Sequence, residues 1–539
     1  MTTVARQFAQ TLKEIGVRYV FGVPSGNMTD YIEALREEDE IDFILTGHES
    51  AAAFMAAVCG GLTGTPGVCF GTFGPGATNL STGVGCAFLD RFPMLAFTDE
   101  MPENKRNRTV QMNIDHQALF KPITKWTTRL GTDSVRETIL KAAGIATSDY
   151  PGPVHIGVPA GIAQEKTGEL EVELNYLQVK KNASEELQHP IVQEAVQLFK
   201  DAKKPLLAVG LSAVRAGIKA ELLQLAEQYQ IPVVLTPMAK GMFPENHRLY
   251  VGVLFHALSG EIVKFCSEAD LAIGIGYDTV ELNYEDWMPE VPLIHFDEKT
   301  ADVEAKKIKK VVNVPQIHSG LEHLLKLEPK TTNWDLPKLQ KLKAKLFSRL
   351  VPPEDDFDPR SVVAGLRNAL PENGILTLDV GAHLHLAGQQ WQTPSPEKLL
   401  MTNGWSSMGF AVPAAIAAKL CHPEFPVACL AGDGGFRMMA GEMATARQLN
   451  LNIVFVVVAD ESLSLIRIKQ ERKRFNSSYG TDLQILTEEP MNNIFGVPVV
   501  RITNSPDYQK ALGEAFAQTG PVIIEAIVDG KGYDGLVLE

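Results

Sequence analysis

The chain has 539 residues, 45% hydrophobic and 21% charged, with a formal net charge of −15 and an estimated pI of 5.4. That balance is ordinary for a soluble globular protein and, at this length, for roughly three or four domains. It argues against a nucleic-acid binder, which presents a basic face, and no apolar run reaches the roughly eighteen residues of a membrane span.

The first sixteen residues, MTTVARQFAQTLKEIG, read as an amphipathic helix of the mature fold and not as a leader. From there to about residue 165, short apolar runs (RYVFGVP, FILTG, GVCFGTF, PMLAFTDE, VHIGVP) alternate with helical stretches such as GNMTDYIEALREE. Such alternation predicts a parallel α/β sheet. The polar segment 163–190 breaks the rhythm and reads as a linker. A second unit, about 190–328, opens with the helix IVQEAVQLFKDA and continues with the buried strands PLLAVG, PVVLTP, LAIGIG and PLIHFD. The charged stretch 328–359 separates it from a third, about 357–530, with GILTLDVG, PVACLAGDGGF, NIVFVVVAD and PVIIEAIVD. The expected fold is α/β, with three doubly wound parallel-sheet domains at 1–165, 190–328 and 357–530.

The dense basic runs KKIKK (306–310) and RIKQERKR (467–474) are expected on solvated helix or loop faces. Cys59, Cys69, Cys86, Cys266, Cys421 and Cys429 lie mostly in apolar runs without C-x-x-C spacing. They read as reduced core cysteines of a cytoplasmic protein, and not as a disulfide frame or zinc site.

Two constellations carry chemistry. In ILTGHESAAAFMAAVCGG (44–61) a short strand runs into an Ala-rich helix with Glu49 at the junction. By itself Glu49 has two readings: an acid complementing the helix dipole, or a carboxyl in a poorly solvated site that handles protons. In LAGDGGF…VFVVVADESL, one strand ends at Gly432-Asp433-Gly434-Gly435 and a later one at Ala459-Asp460-Glu461-Ser462. In a parallel sheet both ends lie on the carboxyl edge, where ligands bind. Two hard oxygen donors there suit Mg²⁺ or Ca²⁺, and Mg²⁺ favours sites completed by phosphate and water. The glycines allow close backbone approach, and a helix N-terminus offers amides to an anion.

That spacing resembles the thiamine diphosphate fingerprint, and with it the whole chain resembles the acetolactate synthase, pyruvate oxidase and 2-oxo acid decarboxylase group. YVFGVPSGNM, HESAAAFMAA and TFGPGATNLSTGV are similar to that family's pyrimidine-binding domain. LDVGAH, NGWSSMGFAVPAAIAA and GDGGF are similar to its diphosphate-binding domain. ADLAIGIGYDTVELNYEDW, PLIHFDEKTAD and DHQALFKPITKW look most like the fermentative acetolactate synthases.

The resemblance implies roles. Glu49 would share a proton with the cofactor's aminopyrimidine, and Pro24, Thr72, Pro75 and Asn79 would line that ring's pocket. Met408 would wedge between the two cofactor rings, with the backbone of Ser406 and Met408 on the pyrimidine edge. Gly381, Ala382, His383, Gly434 and Gly435 would hold the diphosphate. Asp433, Asp460 and the Ser462 carbonyl would ligate Mg²⁺, and Leu463, Leu465 and Ile466 would line the acceptor side or belong to the core. Three departures accompany it. Asp460 stands where most of the family has Asn. No His-His pair occurs in 100–120, and Gln111 is the nearest match to the family's catalytic Gln, with His116 and Gln117 as rivals and a surface or capping role open for each. Lys469 replaces the Trp of many biosynthetic relatives.

The implied activity is decarboxylation of a 2-oxo acid, pyruvate first, followed by joining of the remaining fragment to a carbonyl acceptor. The alternatives are a decarboxylase or 2-hydroxy ketone lyase releasing an aldehyde, a pyruvate oxidase-like enzyme with FAD in the middle unit (the turn 209–217 lacks a clear dinucleotide fingerprint), and a non-catalytic relative. A cytoplasmic homodimer with shared sites, itself paired into a tetramer, completes the expectation.

Overall fold

Six apolar segments of the first unit form one sheet: β1 (Tyr19–Gly22), β2 (Asp42–Leu45), β3 (Gly67–Gly71), β4 (Met94–Glu100), β5 (Trp126–Arg129) and β6 (Pro153–Pro159). The computed structural model describes residues 2–167, 190–282, 286–304, 307–475, 479–483 and 492–538. Most of the expected linker 163–190 lies outside them. The strands run parallel in the order β2-β1-β3-β4-β6-β5. The middle unit has β7 (Pro205–Val209), β8 (Val233–Leu235), β9 (Tyr250–Val253), β10 (Leu271–Ile275), β11 (Val291–Phe296) and β12 (Ile308–Val314), parallel in the order β12-β11-β10-β7-β8-β9.

The third has β13 (Ile375–Leu378), β14 (Leu399–Leu400), β15 (Val427–Gly432), β16 (Ile453–Ala459), β17 (Asn493–Ile494), β18 (Val497–Ile502) and β19 (Val522–Ile527). Their order is β14-β13-β15-β16-β19-β18-β17, parallel except for the β17–β18 edge pair. Helices cover both faces, so central strands such as β4 and β16 are buried along their whole length and read as continuous apolar runs.

Two helices join the outer units. Helix α1 (Glu49–Thr63) is buried from Glu49 to Gly60, and small residues let neighbours approach: a Cβ added at Gly83 of α2 (Pro75–Leu89) would lie 2.4 Å from Ala53 Cβ. Three more helices, α3 (Ala382–Gln390), α4 (Ala411–Cys421) and α5 (Asp433–Met439), belong to the third unit, followed by α6 (Glu442–Gln448). Helix α4 packs on α1, with Phe54 and Phe410 edge to face at 5.8 Å between ring centres.

Several elements differ from the sequence reading. The basic run 306–310 falls partly on β12, where Lys309 and Lys310 are exposed on an edge strand and not on a helix or loop. An edge strand half in water accepts lysines as readily as a helix face does. The charged separator 328–359 contains a helix, Leu336–Leu350, whose Leu339, Leu346 and Leu350 are buried. RIKQERKR lies on the solvated end of the helix Ser464–Arg472, as expected. All six cysteines are free. Among the described residues, no helix is long and apolar enough to cross a membrane.

Candidate active site

Strands β15 and β16 are neighbours, with Gly432 paired to Val458, so Asp433 and Asp460 leave the same edge of the third sheet. The Asp433 carboxylate accepts from the amides of Gly434 at 2.8 Å and Glu461 at 2.9 Å. Asp460 accepts from the Ser462 amide at 3.2 Å and the Ser464 hydroxyl at 2.6 Å. Burial, reinforced by the Asp460 charge, pushes Asp433 up to about 7, and burial also raises Asp460. Two buried carboxyls this close together, each costly to ionise, are a site a divalent cation stabilises.

A cavity of about 200 Å³ opens between them. The expected diphosphate residues Gly381, Ala382, His383, Gly434 and Gly435 line it, as do the expected metal residues Asp433, Asp460 and Ser462. Ser406 and Met408 form another wall, and Leu463, Leu465 and Ile466 a third. His383 Nε2 and Ser462 Oγ are buried there without a hydrogen-bond partner, and buried polar atoms of that kind want a ligand. A Cβ on Gly434 would lie 2.8 Å from Leu463 and 3.2 Å from Met408, so glycine keeps the floor open. The donor set, the two carboxylates and the N-terminus of α3 at Gly381–His383 fit a diphosphate held through a cation. Lys469 is exposed and does not line the cavity.

Met408 is presented by a constrained turn. Ser406 is left-handed (φ +55°), as is Gly409 (φ +86°), whose amide donates to both oxygens of Asp379 at 2.9 and 3.1 Å. Asp379 is fully buried, and burial pushes its carboxyl up to about 7. The sequence reading missed Asp379 as a site residue, although it stands in the quoted LDVGAH. It also missed Tyr533, which reaches the same cavity from the far end of the chain.

Glu49 begins α1 and is 8% exposed. Its carboxylate accepts from the Asn79 side-chain amide at 2.9 Å, and a Cβ on Gly76 would lie 3.2 Å from one Glu49 oxygen and 2.8 Å from Thr72. Pro75 is the first residue of α2. Pro24 precedes Ser25, whose hydroxyl donates to Asp99; that carboxyl, held near Thr72, is raised to about 6 by burial. Thus Glu49, Thr72, Pro75 and Asn79 form one group, with Pro24 at its margin. None of them lines the cavity at Asp433. The chain therefore carries two half-sites.

Reciprocal contacts fix the backbone of each half. Glu442, the first residue of α6, accepts from the amides of Gly47 at 2.9 Å and His48 at 3.1 Å, just before Glu49. Asp90 of the first unit accepts from the amides of Gly404 at 2.6 Å and Asn403 at 3.1 Å, on the segment leading to Ser406 and Met408. Neither acid stands out in the sequence, because each acts across a boundary that sequence distance hides.

Gln111 is exposed in a turn. His116 is buried: its Nε2 accepts from the Gly74 amide at 3.2 Å, its Nδ1 lies 2.9 Å from Thr98 Oγ1, and burial lowers it to about 4. The Gln117 side-chain amide donates to Glu100 at 2.6 Å and to the Thr128 carbonyl at 2.9 Å. His116 and Gln117 are thus internal ties. In the middle unit, Ser212 and Arg215, both within 209–217, line a further cavity of about 620 Å³ with Asp297 and Glu298.

Three family descriptions match the chain: thiamine pyrophosphate enzyme, N-terminal TPP binding domain, over residues 2–119; central domain, over 192–324; and C-terminal TPP binding domain, over 379–526. The chain is 30% identical to a probable acetolactate synthase large subunit of Methanocaldococcus jannaschii, over 97% of its own length and 92% of the relative's. It is 31% identical to an acetolactate synthase of Arthrospira platensis (98% and 94%) and 29% identical to one of Bacillus subtilis (96% and 92%). The chain belongs to the thiamine pyrophosphate enzyme family. Its three α/β sheets are the three domains of that family. In this thiamine pyrophosphate enzyme both the unit of Glu49 and the unit of Asp433 match cofactor-binding domains.

Proposed function

We propose that the chain is a Mg²⁺- and thiamine diphosphate-dependent enzyme that decarboxylates a 2-oxo acid, pyruvate in the first instance, and joins the remaining fragment to a carbonyl acceptor, as an acetolactate synthase does. The observation that carries this reading is the cavity in which Asp433, Asp460, His383 and Met408 converge. The names of the relatives support the carboligating direction.

Asp433, Asp460 and the Ser462 carbonyl hold the cation, while Gly381, Ala382, His383, Gly434 and Gly435 hold the diphosphate. When bound, the thiazolium ring accepts the electron pair left by departing carbon dioxide. Met408, on its braced turn at the cavity wall, would orient the bound cofactor. Glu49, oriented by Asn79 and largely shielded from water, would hold and exchange a proton at the cofactor's aminopyrimidine when it is bound. Leu463, Leu465 and, at the exposed rim, Ile466 give the acceptor side an apolar wall. Asp460 in place of Asn adds one negative charge, which the α3 N-terminus and buried donors of the cavity offset. Gln111 assists from its turn once substrate is bound.

Because Glu49 does not share a cavity with Asp433, a head-to-tail dimer is the arrangement that completes the site, Glu49 of one subunit serving the cofactor of the other. Two such dimers form the tetramer. The units are taken as 1–165, 190–328 and 357–530.

A panel of 2-oxo acids with thiamine diphosphate and Mg²⁺, read by product analysis, tests the reading. Pyruvate is expected to give carbon dioxide and 2-acetolactate. Acetaldehyde without acetolactate assigns the chain to the decarboxylases, and tight cofactor binding without turnover of any 2-oxo acid makes it a non-catalytic relative. The middle cavity is the one observation favouring a flavin reading, and its charged lining, Asp149, Asp297, Glu298 and Glu322 against Arg215, suits a ribose better than a diphosphate. A flavin absorbance in the purified chain would decide for it.

A further inference from the structure

Helix α1 opens with Glu49 and carries Cys59 near its other end; helix α4, which follows the Met408 turn, ends at Cys421. The two Sγ atoms lie 2.9 Å apart, although the residues are 362 positions apart in the chain. That is closer than unbonded sulfur atoms rest, and a covalent S–S bond spans about 2 Å. Neighbouring contacts hold the two ends together: the Tyr19 hydroxyl donates to the Leu420 carbonyl at 3.1 Å, and Phe54 meets Phe410 further up the same helix pair. Cys59 is 6% exposed, whereas Cys421 is only half-buried and within reach of a small oxidant.

We propose that Cys59 and Cys421 are a site of reversible disulfide formation that ties the first unit to the third. The oxidant is a peroxide. The Cys421 thiolate attacks one peroxide oxygen and breaks the O–O bond, leaving a sulfenic acid and, from hydrogen peroxide, one water. Cys59 then attacks that sulfur, its thiol proton leaves with the displaced hydroxide as a second water, and the S–S bond forms. Two thiols lose two electrons and two protons, and one peroxide becomes two waters. The hydrogen bond with Cys421, and burial with it, hold the Cys59 thiol well above its ordinary range, which suits the resolving and not the attacking role. The tie fastens the helix of Glu49 to the helix behind Met408, and a small thiol reverses it by exchange. Cys69, Cys86, Cys266 and Cys429 are buried and unpaired with another cysteine in the structure, so they stay reduced under the same treatment.

The test uses the full-length native chain. It is exposed to graded hydrogen peroxide, denatured with an alkylating agent present, and peptide-mapped. The expected result is one cross-linked peptide joining Cys59 to Cys421 and alkylation of the other four cysteines. Faster migration on a non-reducing denaturing gel, reversed by dithiothreitol and absent from Cys59→Ser and Cys421→Ser, accompanies it. Alkylation of both Cys59 and Cys421 at peroxide levels that oxidise a control dithiol peptide would overturn the proposal. So would Cys421 carried to sulfinic acid while Cys59 remains alkylated. The wild-type map decides even if a serine variant fails to fold.

Discussion

The Glu442 carboxylate accepts a hydrogen bond from the His48 amide at 3.1 Å, and from Gly47 beside it, so a side chain of the third unit sets where the helix of Glu49 begins. Removing it leaves the amides of Gly47 and His48, both exposed residues, to bond water instead, so the cost is the net worth of the two hydrogen bonds, about 0.5–1.5 kcal/mol each. Glu442→Ala is expected to lower stability in denaturant by that order and to lower turnover beyond the loss of folded protein. Glu442→Gln, which keeps one oxygen, recovers part of both. Full activity in Glu442→Ala would contradict the bracing role.

Glu49→Gln keeps the size of the side chain and removes the exchangeable carboxyl proton. Turnover of pyruvate is expected to fall by roughly 10²–10⁴-fold, the range for loss of a general acid–base group. Carbon dioxide release measures this, and unchanged circular dichroism shows that the fold is intact. A capping role alone would leave turnover within a few-fold.

Much of this was legible in advance. β4, β15 and β16 are long apolar runs ending in polar residues, so both their presence and their carboxyl ends could be read from the chain. The register of β15 and β16 then brought Asp433 and Asp460 together without further information. What escaped has physical reasons. β5 (WTTR) is half-buried throughout, and β12 is an edge strand rich in lysine, so neither gives a sharp period. Asp90, Asp379 and Glu442 act by accepting backbone amides, a role with no motif; their distant partners, Asn403, Gly409 and Gly47, lie 30 to 395 positions away.

One part of the acid dependence follows from His116. Burial lowers it from an ordinary 6.5 to about 4. In the folded state it therefore binds its proton less readily than in the unfolded chain. Its contribution to stability is fully present above pH 6.5 and is lost as pH falls from 6.5 through 4. Asp379 and Asp433, whose carboxyls burial raises to about 7, act in the opposite sense over this window. The His116 contribution is therefore read as the difference in denaturant stability between wild type and His116→Gln, which should shrink toward acid by up to about 3 kcal/mol. Parallel pH profiles for wild type and His116→Gln would assign the acid dependence to other groups.

Met408→Ala removes the wedge while leaving Asp433, Asp460 and His383 in place. The expected result is a kcat lowered by about 10- to 100-fold, as an orientation effect of this kind gives, with cofactor affinity changed far less. Steady-state kinetics at saturating cofactor separate the two. Loss of affinity alone would make Met408 packing and no more.

The most direct test of the cation-clamped cofactor site is a calorimetric titration of thiamine diphosphate into the cofactor-free chain, with and without Mg²⁺, for the wild type and Asp433→Ala. The site at Asp433 and Asp460 predicts binding that requires Mg²⁺ and is lost in the variant. Equal binding without the ion, or an unaffected variant, would contradict it.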